Sequence, residues 1–202
     1  MKLFRIALLF ILLITSLNSY SQKYYDDILL YREEFKKEIV KEERAPLKVD
    51  ELKYLQYYNP DSTYRVNAEF TRTENAIPFD LPTSSGMTKK FIEYGKLKFK
   101  IKGNDLMLTV YQNMKHLESD ELRDYLFLPF TDPTNGEETY INGRYVDMRI
   151  GDIKDNKLFL DFNKAYNPYC AYSDGYNCPK PPEANSLKIK IQAGEMDFGR
   201  KH

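Results

Sequence analysis

Alternation of apolar and polar residues begins at Tyr64, and this feature constrains the fold more than any other in the sequence. Over residues 64–71 every second side chain is apolar, which predicts a strand with one buried face and one solvated face. The same alternation runs from Leu97 to Ile101 and resumes from Leu106 to Val110. Because only a short turn-forming segment that contains Gly103 separates these two runs, they predict an antiparallel hairpin.

The segment before Tyr64 has helical spacing instead. Apolar side chains recur three or four residues apart between Tyr24 and Arg44, at Tyr24, Ile28, Tyr31, Phe35 and Ile39. This spacing predicts an amphipathic helix that Pro46 brings to an end. Four more segments have the composition of strands: Tyr125 to Phe130, Glu138 to Tyr145, Lys157 to Phe162, and Leu187 to Ile191. We therefore predict a mainly β fold, a single antiparallel β-sandwich or barrel-like domain with the N-terminal amphipathic helix packed on it.

The first 21 residues have the three parts of a secretory signal peptide. Lys2 and Arg5 form a basic start, Ile6 to Ile14 is an unbroken apolar run, and Ser19 and Ser21 suit a signal-peptidase site. The apolar run is too short to cross a bilayer, since a membrane helix needs about 20 residues. We expect cleavage after Ser21, a domain covering residues 22–202, no stable membrane span after cleavage, and a periplasmic or secreted protein.

The charge balance excludes a dedicated nucleic-acid-binding protein, because such domains are strongly basic. The whole chain carries 30 basic and 30 acidic residues. The predicted leader holds two basic residues and no acidic residue, so the mature chain has a formal net charge of −2. This small charge does not define a partner.

Cysteine and histidine content limits the chemistry that the chain can perform. Cys170 and Cys178 are separated by seven residues in a loop, and in an exported protein such a pair predicts a disulfide. A zinc site needs further ligands, and only His116 and the C-terminal His202 are present. We therefore expect no metal site, no cofactor and no histidine-based nucleophilic mechanism.

Polar residues able to form a site are concentrated between residues 126 and 195. Carboxylates at the ends of predicted strands or turns are candidates for acid–base chemistry: Asp132, Glu138, Asp161 and Glu195. Aromatic, amide and guanidinium groups that suit a polar ligand form a second set: Arg144, Tyr140, Asn163, Tyr166, Asn167 and Asn185. Each of these residue types also occurs as a turn or packing residue, so composition alone leaves both interpretations open.

Three segments resemble the blocks of a known family. LFLPFTDPTNGEETYINGRY, DFNKAYNPYCAYSDGYNCPKPPEAN and IQAGE are similar to domain-of-unknown-function family 1684 (DUF1684), with a core match over residues 28–196. The resemblance implies one compact domain in an exported bacterial member. The family has no assigned activity, so the resemblance implies no catalytic residues.

These observations lead to three functional hypotheses. The leading one is an uncharacterised exported protein that binds a polar ligand, such as an envelope glycan or peptide. The first alternative is a hydrolase that uses paired carboxylates, and the second is a structural envelope protein. Whether the protein is an enzyme stays open at this level.

Overall fold

The computed structural model describes residues 22–41 and 43–200, so the predicted signal peptide lies outside the described residues. Helix α1 spans residues 22–39. Tyr24, Ile28 and Ile39 of its apolar face are buried. The helix ends at Ile39 rather than at the predicted Arg44. Ile39 is the last residue of the apolar stripe, and packing of such a stripe supplies most of the stability of a helix in a protein.

Seven strands form one antiparallel sheet that curls like half of a barrel. Their bounds are β1 Arg65–Arg72, β2 Phe79–Pro82, β3 Thr88–Ile101, β4 Asn104–Asn113, β5 Tyr125–Phe130, β6 Arg144–Arg149 and β7 Lys157–Asp161. The order across the sheet is β6-β5-β4-β3-β1-β7, and β2 pairs with the first part of β3. The predicted mainly β fold with an N-terminal helix is confirmed.

The predicted hairpin is strands β3 and β4. Ile101 pairs with Asn104, and the two residues between them, Lys102 and Gly103, have φ of 48° and 81°. Two central residues with positive φ are typical of a type I′ turn, whose twist matches that of the flanking strands.

A register shift interrupts the long strand β3 between Glu93 and Gly95. On one side, the first part of β3 pairs with β2 and the later part pairs with β1, and the shift lies between these two parts. A Cβ atom on Gly95 would stand 2.4 Å from the ring of Phe70 and 2.6 Å from the carbonyl oxygen of Thr71. Only glycine therefore allows the strands to approach so closely at this point.

The two faces of the sheet pack into different clusters. Leu126, Leu128 and Phe130 of β5 belong to the main core, together with buried residues of every other strand except β2. Phe127 of the same strand lies on the opposite face, in a smaller cluster with Phe91 and Tyr145. Because side chains alternate along a strand, these aromatic residues lie on a second face of the sheet, which is partly covered.

Two strand predictions are wrong. Strand β6 begins at Arg144, and residues 138–143 form a loop in which the Thr134 carbonyl accepts the amides of Glu138 and Thr139. Residues 187–191 contain no strand. The amide of Ile191 donates instead to Asp132 and its carbonyl accepts from Arg144, so side chains satisfy groups that a neighbouring strand would otherwise pair.

Candidate functional site

An open cleft of about 350 Å³ lies on the second face of the sheet, and we call it the aromatic cleft. Strands β3, β5 and β6 supply its floor, while α1 and the segment of residues 166–179 supply its walls. Eight aromatic side chains line it: Phe35, Phe91, Tyr125, Phe127, Tyr145, Tyr166, Tyr169 and Tyr176. A concave site with mostly aromatic walls and a few polar groups is the usual form of a small-ligand site.

The floor of the cleft is a row of packed rings. Ring centroids lie 5.7 Å apart for Phe91 and Phe127, 4.7 Å for Phe127 and Tyr145, and 5.8 Å for Tyr145 and Tyr166. Phe35 of α1 joins the row through Tyr166, at 5.5 Å. These edge and tilted contacts add stability beyond area burial, so each ring of the floor is held by its neighbours.

Asp147 is the only carboxylate among the described residues that line the cleft. The hydroxyls of Tyr125 and Tyr166 both donate to its Oδ1, at 2.5 Å and 2.7 Å. No described group donates a hydrogen bond to Oδ2, and the residue remains exposed. Crowding by the surrounding rings raises the pKa of Asp147, while the two hydroxyls act in the opposite direction.

Lys89 lines the cleft from β3, on the same face as Phe91. Its side chain is half-buried, and no carboxylate of residues 22–41 and 43–200 lies within 4.0 Å of its ammonium. Burial lowers the pKa of Lys89, while the nearby Cys178 and Cys170 act in the opposite direction and Lys115 adds a smaller lowering. The ammonium is therefore a partly desolvated cation that faces the cleft without a countercharge.

His116 stands beside Lys89 in the lining. Its ring packs edge-on against Tyr125, with centroids 5.2 Å apart, and its buried Nδ1 has no hydrogen-bond partner among the described residues. Burial and the positive charge of Lys89 lower the pKa of His116. Lys89 and His116 thus mark a basic side of the cleft, and Asp147 marks the other side of Tyr125.

Cys178 is part of the cleft lining, and Cys170 lies next to it. The structure has them as free thiols, with the Cys170 amide donating to Sγ of Cys178 at 3.3 Å. Burial raises the pKa of Cys178 to about 12. The disulfide stays a prediction.

Arg144, which the sequence suggests as a ligand-binding residue, is fully buried on the opposite face of β6. Its Nη2 forms an ion pair with Asp132 at 3.0 Å, and both terminal nitrogens donate to backbone carbonyls, including those of Ile191 and Ala193. These contacts join the loop after β5 to the C-terminal segment.

Three predicted asparagines are buried in side-chain-to-backbone networks. Asn185 bonds the amide and carbonyl of Thr109, and Asn163 bonds the amide and carbonyl of Asp61. Asn167 donates its amide and side chain to Glu195. Each network connects segments that are distant in sequence, which is a packing role.

The remaining predicted residues also lie mostly outside the cleft. Glu138 pairs with Lys190 and accepts from Tyr58, and these bonds lower the pKa of Glu138 to about 2. Asp161 accepts from Tyr24 and borders a smaller groove between β6 and β7. The Tyr140 hydroxyl donates to the Cys170 carbonyl at 3.4 Å. Of the predicted site residues, only Tyr166 and Cys178 line the aromatic cleft.

Sequence reasoning missed Lys89, His116, Tyr125 and Asp147 as site residues. The alternation in β5 and β6 could have indicated two of them. Tyr125 and Asp147 alternate with the apolar core residues of their strands, so their side chains lie on the other face of the sheet. Nothing in the sequence showed that α1 and residues 166–179 would cover this face.

Residues 22–41 and 43–200 contain no cluster of three or more histidine, cysteine, aspartate or glutamate side chains suited to a metal ion. In the same residues, no helix has the length and apolar character required to span a bilayer.

Comparison with known proteins identifies a family without an assigned activity. No curated protein matches the chain. The solution NMR structure of an uncharacterised protein from gene locus rrnAC0354 of Haloarcula marismortui is similar, with a TM-score of 0.66 and 32% sequence identity. The match covers 88% of this chain and 96% of that one. The family model described as protein of unknown function (DUF1684) matches residues 50–196, and the chain therefore belongs to the DUF1684 family.

Proposed function

We propose that this protein binds a small polar ligand in the aromatic cleft and that it does so outside the cytoplasm. The observation that carries the proposal is the pairing of a floor of packed aromatic rings with two unmatched polar groups. These groups are the ammonium of Lys89 and Oδ2 of Asp147. A volume of about 350 Å³ suits one sugar or amino-acid unit of an envelope glycan or peptide better than a long polymer segment.

The cost of the unmatched charge favours a binding role over a packing role. Lys89 is half-buried, so its ammonium is less well hydrated than that of an exposed lysine, and an anionic partner would stabilise it. Lys90, the next residue along β3, points to solvent and pairs with Asp80 at 3.3 Å. Lys89 has no such partner, so an incoming ligand would supply the missing interaction.

The hydrolase alternative gains no support from this geometry. Asp132, Glu138 and Glu195 do not line the aromatic cleft, and Asp161 borders only the smaller groove. All four carboxylates are bonded to protein groups. Asp147 has no second described carboxylate in the cleft lining, but it also borders the smaller groove together with Asp152 and Asp161. Asp161 accepts hydrogen bonds from Tyr24 and Asn163 there, which ties it to the fold.

Export and disulfide formation complete the proposal. The leader-like residues 1–21 support cleavage before Gln22, and sequencing the N-terminus of the protein recovered outside the cytoplasm tests this. An intact Met1 would contradict export by cleavage. In an oxidising compartment Cys170 and Cys178 would form a disulfide at the aromatic cleft. Two reactive thiols in the denatured mature protein would exclude it.

The binding proposal is tested by calorimetric titration with soluble cell-wall glycan fragments and short peptides. Asp147→Asn and Tyr166→Phe should weaken the binding of any ligand found. Asp105→Asn is the matched control, because Asp105 is exposed and lies outside the aromatic cleft. Binding that responds equally to all three substitutions, or not at all, would place the ligand elsewhere.

A further inference from the structure

The side chains that line the aromatic cleft indicate which chemical class of ligand it binds. This inference rests on the proposed function. Lys89 offers a single positive charge, and its close charged and titratable neighbours are Lys115, His116 and the two cysteines. None of these is a carboxylate, so the countercharge must come from the ligand. An anionic group of the ligand is therefore expected at Lys89.

The anion that matches this side of the cleft is a carboxylate. Phosphate sites usually combine several donors, such as arginine, lysine and backbone amides at a helix N-terminus. No arginine is among the described residues that line the cleft, and Lys89 is the only lysine there. One ammonium beside an imidazole of lowered pKa balances one negative charge, which is the charge of a carboxylate.

The middle of the cleft favours a flat apolar group over a sugar. The hydroxyls of Tyr125 and Tyr166 are both engaged by Asp147, and Phe35, Phe91 and Phe127 offer no polar atom. These rings offer no hydrogen bond to the hydroxyls of a sugar, whose polar contacts would have to come from other lining groups such as the amides of Asn113 and Asn177. An aromatic ring would make edge or offset contacts with the same surface.

Asp147 defines the opposite end of the ligand. Tyr125 separates the two ends, because its ring contacts His116 and its hydroxyl contacts Asp147. Oδ2 of Asp147 can accept one more hydrogen bond. We infer that the aromatic cleft binds an aromatic carboxylic acid, with the carboxylate at Lys89, the ring on the aromatic floor, and a hydrogen-bond donor of the ring at Asp147.

The experiment is calorimetric titration of the mature protein with four probes. N-acetyl-tyrosine has all three features, N-acetyl-tyrosine amide lacks the charge, N-acetyl-phenylalanine lacks the ring donor, and glucuronate replaces the ring by a sugar. We expect N-acetyl-tyrosine to bind most tightly, with a loss of about tenfold or more for the neutral amide, as for other charge-assisted hydrogen bonds. Free tyrosine and glycyl-tyrosine then distinguish an amino acid from a peptide C-terminus as the source.

Variants identify the groups that recognise each end. Lys89→Met should reduce the affinity for N-acetyl-tyrosine at least tenfold and leave the affinity for the amide unchanged, and Lys89→Arg should restore part of the loss. Lys90→Met is the matched control, since Lys90 lies on the solvated face of the same strand. Thermal unfolding of each variant shows whether it is folded.

The outcomes separate this inference from the proposed function. Equal affinity for the acid and the amide, or full affinity in Lys89→Met, would overturn the carboxylate assignment. Binding of glucuronate but not of N-acetyl-tyrosine, with dependence on Asp147, would overturn the aromatic ligand and leave cleft binding intact. No binding of these probes or of the glycan and peptide sets would overturn both.

Discussion

Tyr125 donates a hydrogen bond of 2.5 Å to Asp147 across strands β5 and β6, in a diagonal rather than a direct pair. The direct partner of Asp147 is Phe127, and the direct partner of Tyr125 is Arg149. The long side chain of Tyr125 spans the diagonal, which aromatic residues can do on a sheet face. This places the carboxylate beside the ring row of the aromatic cleft.

The hydroxyls of Tyr125 and Tyr166 should keep the Asp147 carboxyl more acidic than its crowded surroundings alone would allow. Both donate to the ionised form and thereby lower the pKa of Asp147, against the opposite effect of the side chains crowded around the carboxyl. In Tyr166→Phe the pKa of Asp147 should therefore rise. Carboxyl NMR during a pH titration measures it, with Tyr140→Phe as the control. An unchanged value would show that the hydroxyl bond is absent in solution.

Loss of Arg144 should destabilise the protein strongly, because its removal leaves Asp132 as a buried, unpaired charge. Breaking one side of a buried pair costs about 3–5 kcal/mol. Chemical denaturation of Arg144→Met should show a loss of this size in the free energy of unfolding. Arg123→Met is the control, because its pair with Asp120 is exposed and such pairs contribute about 1 kcal/mol or less. Similar small losses in both variants would contradict the buried network.

Glu195 should make stability depend on pH between 4.5 and about 7. Burial raises its pKa from 4.5 to about 7, against hydrogen bonds from Tyr172 and Asn167. Because the folded state favours the protonated form, the stabilisation is fully present below pH 4.5 and is lost as the pH rises to about 7. The full loss is on the order of 3 kcal/mol.

Glu195→Gln removes this titration. The difference in unfolding free energy between wild type and Glu195→Gln should fall steadily across the interval in which Glu195 ionises. Taking the difference between the two unfolding free energies cancels the contribution of all other titrating groups, because both proteins contain them. A difference that stays constant with pH would mean that Glu195 has an ordinary pKa in the folded protein.

Gly95→Ala should destabilise the sheet at the register shift in β3. The added methyl group would overlap the ring of Phe70 and the backbone oxygen of Thr71, and the backbone oxygen cannot rotate away. Overpacking of this kind costs about 1–3 kcal/mol. Gly151→Ala is the matched control, because its Cβ would meet no atom within 4 Å and its φ is not positive. Thermal melting of the two variants compares them, and equal melting temperatures would contradict the close approach.

The local spacing of apolar residues predicted those helices and strands in which the buried side chains recur at a regular interval. The stripe of α1, the hairpin of β3 and β4, and strand β5 from Tyr125 to Phe130 were all readable from spacing. The strand predicted at Leu187 to Ile191 failed because Asp132 and Arg144, more than forty residues away, bind its backbone. Short apolar runs carry no information about such partners.

The sequence by itself determined the fold class and the positions of most strands, because alternation and turn chemistry act over a few neighbouring residues. Three blocks of sequence similarity identified the family. Only the tertiary structure decided that Arg144 is enclosed and that Lys89 and Asp147 face a common cleft. These side chains come from separate strands, and helix α1 adds Phe35 from the other end of the chain. Which segment covers a sheet face depends on long-range packing, and that packing decides whether a polar residue lies in a network or in a site.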